Sequence, residues 1–231
     1  MKCGEFDKRN QEFLDSFNEK DYFNSLISSG DNEDVVIFDV GAHKGESAIF
    51  FNELFPESKI YSFEPNPLAA KEILKLNLSN VQVFNMALTD RDGTAEFYIQ
   101  DISHLSSLNN INKSSNASMG YAEKEKHTVH NVTVMRGDEF CIKNKVEHVN
   151  FLKIDVQANE VSTLHGFSNM ISKVSCVFVE VSLYDFYSKK SSIGEIEKTL
   201  PDFELYDIYE ISKNPKTLGT DWATLVYKRI K

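Results

Sequence analysis

VVIFDVGAHKGESAIFFNELFPESKIYSFE, residues 35–64, is the stretch that decides the fold of this chain. A β-branched apolar run ends at Asp39, and Gly41 and Gly45 follow it. A helix-like segment comes next, and a second apolar run closes at Glu64. The pattern predicts a strand, a glycine turn, a helix and a second strand that ends in an acid. Such a unit binds a nucleoside-containing cofactor, because the glycines admit its polar tail and the acid accepts the ribose hydroxyls.

The spacing of the glycines distinguishes between cofactors. Dinucleotide folds place a pyrophosphate over G-x-G-x-x-G, whereas this turn is G-x-x-x-G and opens with Asp39. An acid at that position would repel a phosphate but can pair with an ammonium group. S-adenosylmethionine carries an ammonium, has no phosphate and contains a ribose, so the pattern favours it over NAD. An ordinary βα turn with a solvated Glu64 is the alternative interpretation.

The composition indicates one sizeable α/β domain with modest additions. The chain has 231 residues, of which 41% are hydrophobic and 26% charged. We expect residues 1–30 to form an N-terminal helical extension and residues 31–231 to form the main domain. The net charge of −10 argues against nucleic acid as a partner and favours a small neutral or cationic substrate, or a lipid- or carrier-linked one.

The sequence predicts a cytoplasmic protein without a membrane span. The start, MKCGEFDKRN, has no apolar signal region, and no apolar window is long enough to cross a bilayer. The three cysteines are widely spaced, so neither a disulfide nor a structural zinc site is expected, and Cys176 should be a buried thiol. The N-terminal phenylalanines suit a core or a partner subunit equally well, which leaves a homo-oligomer open.

Apolar runs and amphipathic segments alternate along the chain. Residues 5–29 predict amphipathic helical turns, with Phe13, Leu14 and Phe17 at helical spacing. Strands are expected near residues 35–40, 59–64, 81–88, 94–99, 127–135, 149–156, 174–181, 203–210 and 222–229. Helices are expected near residues 45–55, 67–79, 159–170 and 192–200. This order predicts a doubly wound sheet with a β insertion after the third strand and a strand pair at the end.

Five stretches of the chain, over about residues 35–185, resemble the FkbM-type methyltransferases. They are FDVGAHKGES, YSFEPNP, NMALTDRDGTAEFY, FLKIDVQANE and VFVEV. The resemblance implies a Rossmann-like class I methyltransferase fold, with a seven-stranded, mostly parallel sheet, an antiparallel last strand and helices on both faces. It implies S-adenosylmethionine as the cofactor and methyl transfer, often to a hydroxyl. Residues 31–231 would then be the methyltransferase domain.

The resemblance also implies roles for residues that match the family's motifs. Asp39, Gly41 and Gly45 would border the methionine part of the cofactor. His43 is not part of this carry-over, but it lies in the same turn, so we expect it to contribute mainly its backbone. Glu64 would hold the ribose, and Asn85 and Ala87 would flank the adenine. Ser106 and Ser107 would lie near the cofactor pocket, and Asp155 would lie at the strand end where ligands enter.

Two departures from the family pattern concern the acceptor side. Ala158 and Asn159 follow KIDVQ where the family usually has Gly and Ala, and residues 136–138 read Arg-Gly-Asp where it usually has Thr-Leu-Asp. The first change lies at the helix entry beside Asp155, so we expect an altered acceptor pocket.

Asp155, Glu180 and His104 are the candidate catalytic residues. A hydroxyl acceptor must lose a proton, so a positioned base is needed. Asp155 ends one strand and is the first candidate, with helix capping or cofactor contact as alternatives. Glu180 ends the next strand and faces the same crevice. His104, like His127 and His130, flanks the polar stretch 103–126, which is either a disordered loop or a lid.

Several functions remain open from the sequence. O-methylation of a sugar, glycan or natural-product hydroxyl leads, and N-methylation of a peptide or amine is the alternative within the same class. A noncatalytic cofactor-binding module and a dinucleotide enzyme are the alternatives from other classes. Asp155 and Glu180 offer two oxygen ligands to a cation but lack a third, so no metal is expected. Tyr184, Phe186 and Tyr187 are interpreted as a wall for a sugar or a ring, or as simple packing.

Overall fold

The computed structural model describes residues 12–13, 15–27, 35–112, 126–214 and 218–230. The strands are β1 (Val36–Val40), β2 (Lys59–Phe63), β3 (Val81–Phe84), β4 (Ala87–Leu88), β5 (Gly93–Gln100), β6 (His127–Met135), β7 (Val149–Ile154), β8 (Val174–Ser182), β9 (Phe203–Lys213) and β10 (Thr220–Arg229). The helices are α1 (Glu19–Leu26), α2 (Glu46–Leu54), α3 (Pro67–Lys75), α4 (Gly137–Asn144), α5 (Glu160–Gly166) and α6 (Ile193–Thr199).

Seven strands form the main sheet in the order β3-β2-β1-β7-β8-β10-β9. β1 lies parallel to β2 and β7, and β7 lies parallel to β8. β10 is antiparallel to both of its neighbours. The expected fold class is therefore confirmed, including the antiparallel last strand. Because parallel strands share a direction, β1, β2, β7 and β8 all end at one edge of the sheet, where ligands of open α/β sheets bind.

Helices cover both faces of this sheet. On one face, Phe140 of α4, Leu164 of α5 and Ile196 of α6 pack against the strands in a single apolar cluster. On the other face, Phe23 of α1 and Phe51 of α2 pack in a second cluster. Strands β7 and β8 are buried on both faces, which explains their nearly continuous apolar sequence.

The bounds predicted for the third strand are wrong. We expected a strand over 81–88, but β3 ends at Phe84, and β4 belongs to a second sheet of order β4-β6-β5. Asn85 lies at the break, and its side-chain amide donates to the carbonyls of Glu64 (2.8 Å) and Pro65 (3.0 Å). The expected β insertion is present as the antiparallel pair β5–β6.

Helix α4 was missed by the sequence reasoning. Its first-turn residue Asp138 is buried and accepts backbone hydrogen bonds from Asn169 (3.1 Å) and Met170 (2.8 Å). The Arg-Gly-Asp departure therefore lies at the start of a core helix. The helix predicted over 159–170 is shorter than expected and ends at Gly166, with a 3₁₀ turn at Met170–Lys173.

The N-terminal prediction is only partly covered by the described residues. Helix α1 lies within the predicted amphipathic region, and its Phe23 stacks on Phe178 with ring centroids 5.2 Å apart. Leu14 and residues 1–11 and 28–34 lie outside the described residues, and so does the proposed boundary at residue 30. Cys176 is a buried free thiol, as predicted. Within the described ranges, no helix has the length and apolar character that crossing a bilayer requires.

Candidate active site

A cavity of about 400 Å³ lies at the edge of the sheet where β1, β2 and β7 end. We call it the donor cavity, and it also contacts the start of the insertion and Glu180 of β8. Seven of the predicted site residues line it: Gly41, His43, Glu64, Ala87, His104, Asp155 and Glu180. The structure thus brings together residues that are up to 139 positions apart in the sequence.

Gly41 allows the turn after β1 to lie against the end of β7. Its φ is +83°, a left-handed conformation that favours glycine. A Cβ atom on Gly41 would overlap the backbone carbonyl oxygen of Asp155. The backbone amides of Gly41 and Ala42 both donate to the carbonyl of Phe63 at 3.0 Å, which fixes the turn against β2. The absence of a side chain at Gly41 therefore lets the turn pack against the end of β7, and Gly41 itself lines the cavity.

Glu64 presents a buried carboxylate to the donor cavity. Its side chain is 6% exposed and accepts backbone hydrogen bonds from His43 (2.8 Å) and Asn66 (2.7 Å). Burial raises the pKa of Glu64 to about 7, and these two amides oppose the shift. A carboxylate has about four lone-pair sites, so two remain for hydroxyl donors of a ligand. This environment fits the ribose role that the sequence indicated.

Asp39 lies behind the cavity wall rather than on it. Its carboxylate is fully buried and lies 3.1 Å from the ammonium of Lys153. Burial raises the pKa of Asp39, and the positive charge of Lys153 opposes the shift. The Lys153 ammonium also lies 3.4 Å from the carbonyl oxygen of Gly41 and 3.8 Å from Asp155. Asp39 therefore supports the glycine turn through Lys153, and its charge is already balanced by this chain.

Three other predicted cofactor residues lie beside the donor cavity. Gly45, with φ +96°, caps α2. Asn85 holds the chain after β2 through the two hydrogen bonds described above. Ser107 is buried, donates to the carbonyl of Gln157 at 2.5 Å and accepts from the amide of Asn109 at 2.9 Å. Its neighbour Ser106 does line the cavity. Gly45, Asn85 and Ser107 therefore do not line the cavity but belong to the segments next to its wall.

Gln157 joins the two candidate acids and was not identified from the sequence. Its side-chain amide nitrogen donates to Asp155 at 2.7 Å and to Glu180 at 3.1 Å. Its amide oxygen accepts from the hydroxyl of Tyr187 at 2.8 Å. This pattern assigns the orientation of the amide, because only the nitrogen can donate to two carboxylates. The signal in the sequence was the KIDVQ stretch itself, which we had assigned only to the family resemblance.

The surroundings of Glu180 raise the pKa of its carboxyl group. Burial raises its pKa well above the ordinary value of a glutamate, and the nearby charge of Asp155 raises it further. Lys153 and the hydrogen bond from Gln157 act in the opposite direction. A carboxyl group whose pKa lies near neutrality is well matched to accept a proton at physiological pH.

The insertion contacts the glycine turn through its first residues. The 3₁₀ turn Ser103–Leu105 places His104 on the cavity wall, with its ring centroid 6.3 Å from that of His43. The Nε2 atom of His43 lies 2.8 Å from the hydroxyl of Ser103. Residues 113–125 of the polar stretch lie outside the described residues. In the part that is described, the insertion covers the donor cavity.

The remaining candidates lie away from the cavity wall. His127 and His130 are on β6, where His130 contacts the hydroxyl of Thr128 at 3.2 Å. Tyr187 is 3% exposed and packs against Ala158 and Ile111. Among the residues that the structure describes, no group of three or more His, Cys, Asp or Glu side chains could hold a metal ion.

The Ala158 departure occupies a left-handed turn. Its φ is +76°, where glycine is favoured, and a left-handed residue with a Cβ costs roughly 1–2 kcal/mol. Its amide donates to the carboxylate of Glu160 at 2.7 Å, which anchors the entry of α5. The chain therefore forms this left-handed turn with alanine at position 158, and Ala158 is buried.

The fold and the donor cavity define the class of this protein: a Rossmann-like α/β enzyme that binds a nucleoside-containing cofactor. Comparison with known proteins gives the family. The family model for the methyltransferase FkbM domain matches residues 39–207. The chain belongs to this family and is an S-adenosylmethionine-dependent methyltransferase, as the sequence predicted.

Curated proteins and solved structures are similar to the chain, and three of them are described here. The 2-O-methyltransferase NoeI of Sinorhizobium fredii is 26% identical over 186 residues, which are 78% of this chain and 76% of that protein. The hexuronic acid methyltransferase AglP of Haloferax volcanii is 25% identical over 71% of this chain and 62% of its own length. Magnesium protoporphyrin IX methyltransferase from Synechocystis PCC 6803 aligns over 98% of this chain and 86% of its own, with 10% identity and a TM-score of 0.48.

Proposed function

We propose that this methyltransferase methylates a hydroxyl oxygen of a sugar. The observation that carries the proposal is the pair of carboxylates, Asp155 and Glu180, held by one amide at the mouth of the donor cavity. The relatives support the acceptor class, because one is named for a 2-oxygen and the other for a hexuronic acid. Methylation at an oxygen of a sugar is consistent with both names.

The donor cavity fits S-adenosylmethionine in three respects. Gly41 lines the cavity and has only backbone atoms to present to a ligand. The buried carboxylate of Glu64 has free lone pairs for the ribose hydroxyls, and Ala87 gives the wall an apolar part for the adenine. When bound, the cofactor supplies an electrophilic methyl group on a sulfonium. The chain's own part is to hold the donor and the acceptor in line, which supplies much of the rate enhancement.

Glu180 accepts the proton that the acceptor hydroxyl loses. Its raised pKa makes it a stronger base than an ordinary carboxylate, and it borders the donor cavity. Gln157 is a positioning residue, because it fixes both carboxylates and is itself fixed by Tyr187. Asp155 orients the Gln157 amide and, through its charge, keeps Glu180 basic. His104 is a further candidate on the wall of the donor cavity.

Calorimetry combined with a methyl-transfer assay tests this function. We expect the chain to bind S-adenosylmethionine and S-adenosylhomocysteine but not NAD. With a panel of sugars, we expect transfer of label from methyl-labelled S-adenosylmethionine, and a Glu180→Gln variant should retain cofactor binding but lose transfer. Tight binding of NAD alone would refute the proposal. Cytoplasmic location, a possible homo-oligomer and the division at residue 30 stay predictions.

A further inference from the structure

A second cavity of about 400 Å³ lies beside the donor cavity, on the face of the sheet that α1 and α2 cover. It is bounded by α1, α2 and the outer strands β9 and β10. Lys153, Asp155 and Glu180 line both cavities. The two acids that we assign to the transfer step therefore face a second space as well as the donor cavity. We call this space the acceptor cavity.

Aromatic side chains form one wall of the acceptor cavity. Phe23 of α1, Phe50 of α2 and Tyr209 of β9 all line it. Phe23 contacts both other rings edge-on, at centroid distances of 5.4 Å to Phe50 and 5.8 Å to Tyr209. Ligand sites typically combine such aromatic walls with a few polar groups that fix the orientation of the ligand.

Five of the nine polar side chains that line the acceptor cavity are acidic. The lining carboxylates are those of Glu19, Glu46, Asp155, Glu180 and Glu210. Besides Asp155 and Glu180, which Gln157 holds, Glu19 accepts from the hydroxyl of Tyr209 at 2.9 Å, and Glu210 accepts from that of Thr224 at 3.3 Å. Carboxylates accept hydrogen bonds but do not donate them, so they suit the hydroxyl and amino groups of a ligand.

The cavity offers no free positive charge among its described lining residues. Lys153 is the one Lys or Arg there, and its ammonium is already bound by the buried carboxylate of Asp39 at 3.1 Å. A ligand carboxylate or phosphate in this space would therefore meet several like charges without a free counter-ion, which disfavours its binding.

We propose that the acceptor cavity binds a sugar ring that carries no anionic group, with its reactive hydroxyl directed toward Glu180 and the donor cavity. This inference rests on the proposed sugar O-methylation and specifies its substrate class. In the transfer, the hydroxyl oxygen forms a bond to the methyl carbon, the sulfonium bond breaks with its electrons staying on sulfur, and the hydroxyl proton passes to Glu180. The hexuronic acid named for one relative is thus outside the substrate class of this chain.

Matched sugars test the charge selection. Alkyl glycosides of several configurations are assayed beside the corresponding uronides and uronamides, which differ in one ionised carboxylate. We expect kcat/KM for the neutral glycoside and the uronamide to exceed that for the uronide by about tenfold or more. Glu210→Lys places a counter-ion in the cavity and should reduce this ratio severalfold. Glu204→Lys, an exposed glutamate near the other end of β9, is the matched control and should leave the ratio unchanged.

A bulky side chain placed in the acceptor cavity tests whether the sugar binds there. Thr224→Trp, in the wall of the acceptor cavity, should raise KM for the neutral glycoside while the affinity for S-adenosylhomocysteine stays unchanged by calorimetry. If that variant does not fold, the ratio of kcat/KM for the uronamide to that for the uronide in Glu210→Lys decides alone. Equal use of uronide and uronamide, or an unchanged ratio in Glu210→Lys, would overturn the inference and leave sugar methylation standing. Cofactor binding without methylation of any sugar in the panel would overturn both.

Discussion

The donor and acceptor cavities share a wall, but they are built in different ways. The backbone turn and the buried acid of the donor cavity come from one continuous stretch, 40–65, and residues from 87–108, 153–159, 180 and 222 complete its wall. The acceptor cavity is assembled from Glu19, Phe50, Tyr209 and Thr224, which meet only after the whole sheet has formed. The difference shows why the cofactor can be read from local sequence, whereas the acceptor depends on side chains that distant elements bring together.

The largest effect is expected at the glycine turn of the donor cavity. Gly41→Ala forces a Cβ atom into the carbonyl of Asp155, so we expect cofactor affinity to fall by at least about 100-fold and transfer to be lost. Gly93→Ala is the matched control, because Gly93 also has a positive φ but has open space around its Cβ position. Calorimetry with S-adenosylhomocysteine checks both. Equal losses in the two variants would show that backbone strain, rather than close approach, is what matters.

The next largest effect is expected on the shared wall. Glu180→Gln removes the proton acceptor, so kcat should fall by about 10²–10⁴-fold while cofactor affinity changes little. The control is Glu204→Gln, an exposed glutamate far from both cavities. If kcat survives in Glu180→Gln and falls in Asp155→Asn or in a His104 variant, the base is assigned to the wrong residue.

The pH dependence of the reaction tests the assignment of Glu180 as the proton acceptor. The folded-state pKa of Glu180 is raised, so the group is protonated and inactive at low pH and becomes a base as pH rises through that raised value. We expect kcat/KM to increase with pH along a limb that lies well above about pH 4.3, the ordinary value for glutamate. A flat profile across that region would contradict the assignment.

A smaller effect is expected from the ribose contact. Glu64→Gln keeps the size of the side chain but removes its charge, and charge-assisted hydrogen bonds contribute roughly 1.5–3 kcal/mol. Cofactor affinity should therefore fall by about 10- to 150-fold, and the KM of the acceptor should be unaffected. An acceptor KM that changes as much as the cofactor affinity would show that the two cavities are not separable.

The smallest effect is expected at Tyr187, which lies outside both cavity walls. Tyr187→Phe removes the hydroxyl that holds the amide oxygen of Gln157, a hydrogen bond that contributes about 1 kcal/mol. We expect a modest loss in kcat and a shift of the pH–rate limb, because the freed amide no longer holds Asp155 and Glu180 in place. A change in thermal stability with an unaltered pH profile would mean that Tyr187 only packs.

The sequence predicted those parts of the site that depend on local backbone. The glycine turn, Glu64 and the strand-end acids follow from apolar periodicity and turn chemistry within short windows. Asp39 is the instructive exception: its position was predicted, but its partner is Lys153, which only the parallel pairing of β1 and β7 brings beside it. Gln157 escaped notice because its role depends on Glu180 and Tyr187, each more than 20 residues away. Helix α4 was missed because its apolar face is short.

The product of a single reaction tests the central claim most directly. The chain is incubated with methyl-labelled S-adenosylmethionine and a neutral alkyl glycoside, and the product is examined by mass spectrometry and NMR. We predict one O-methyl ether on a ring hydroxyl and one S-adenosylhomocysteine for each label transferred. Label on nitrogen of an amine acceptor, with none on a sugar oxygen, would contradict this account.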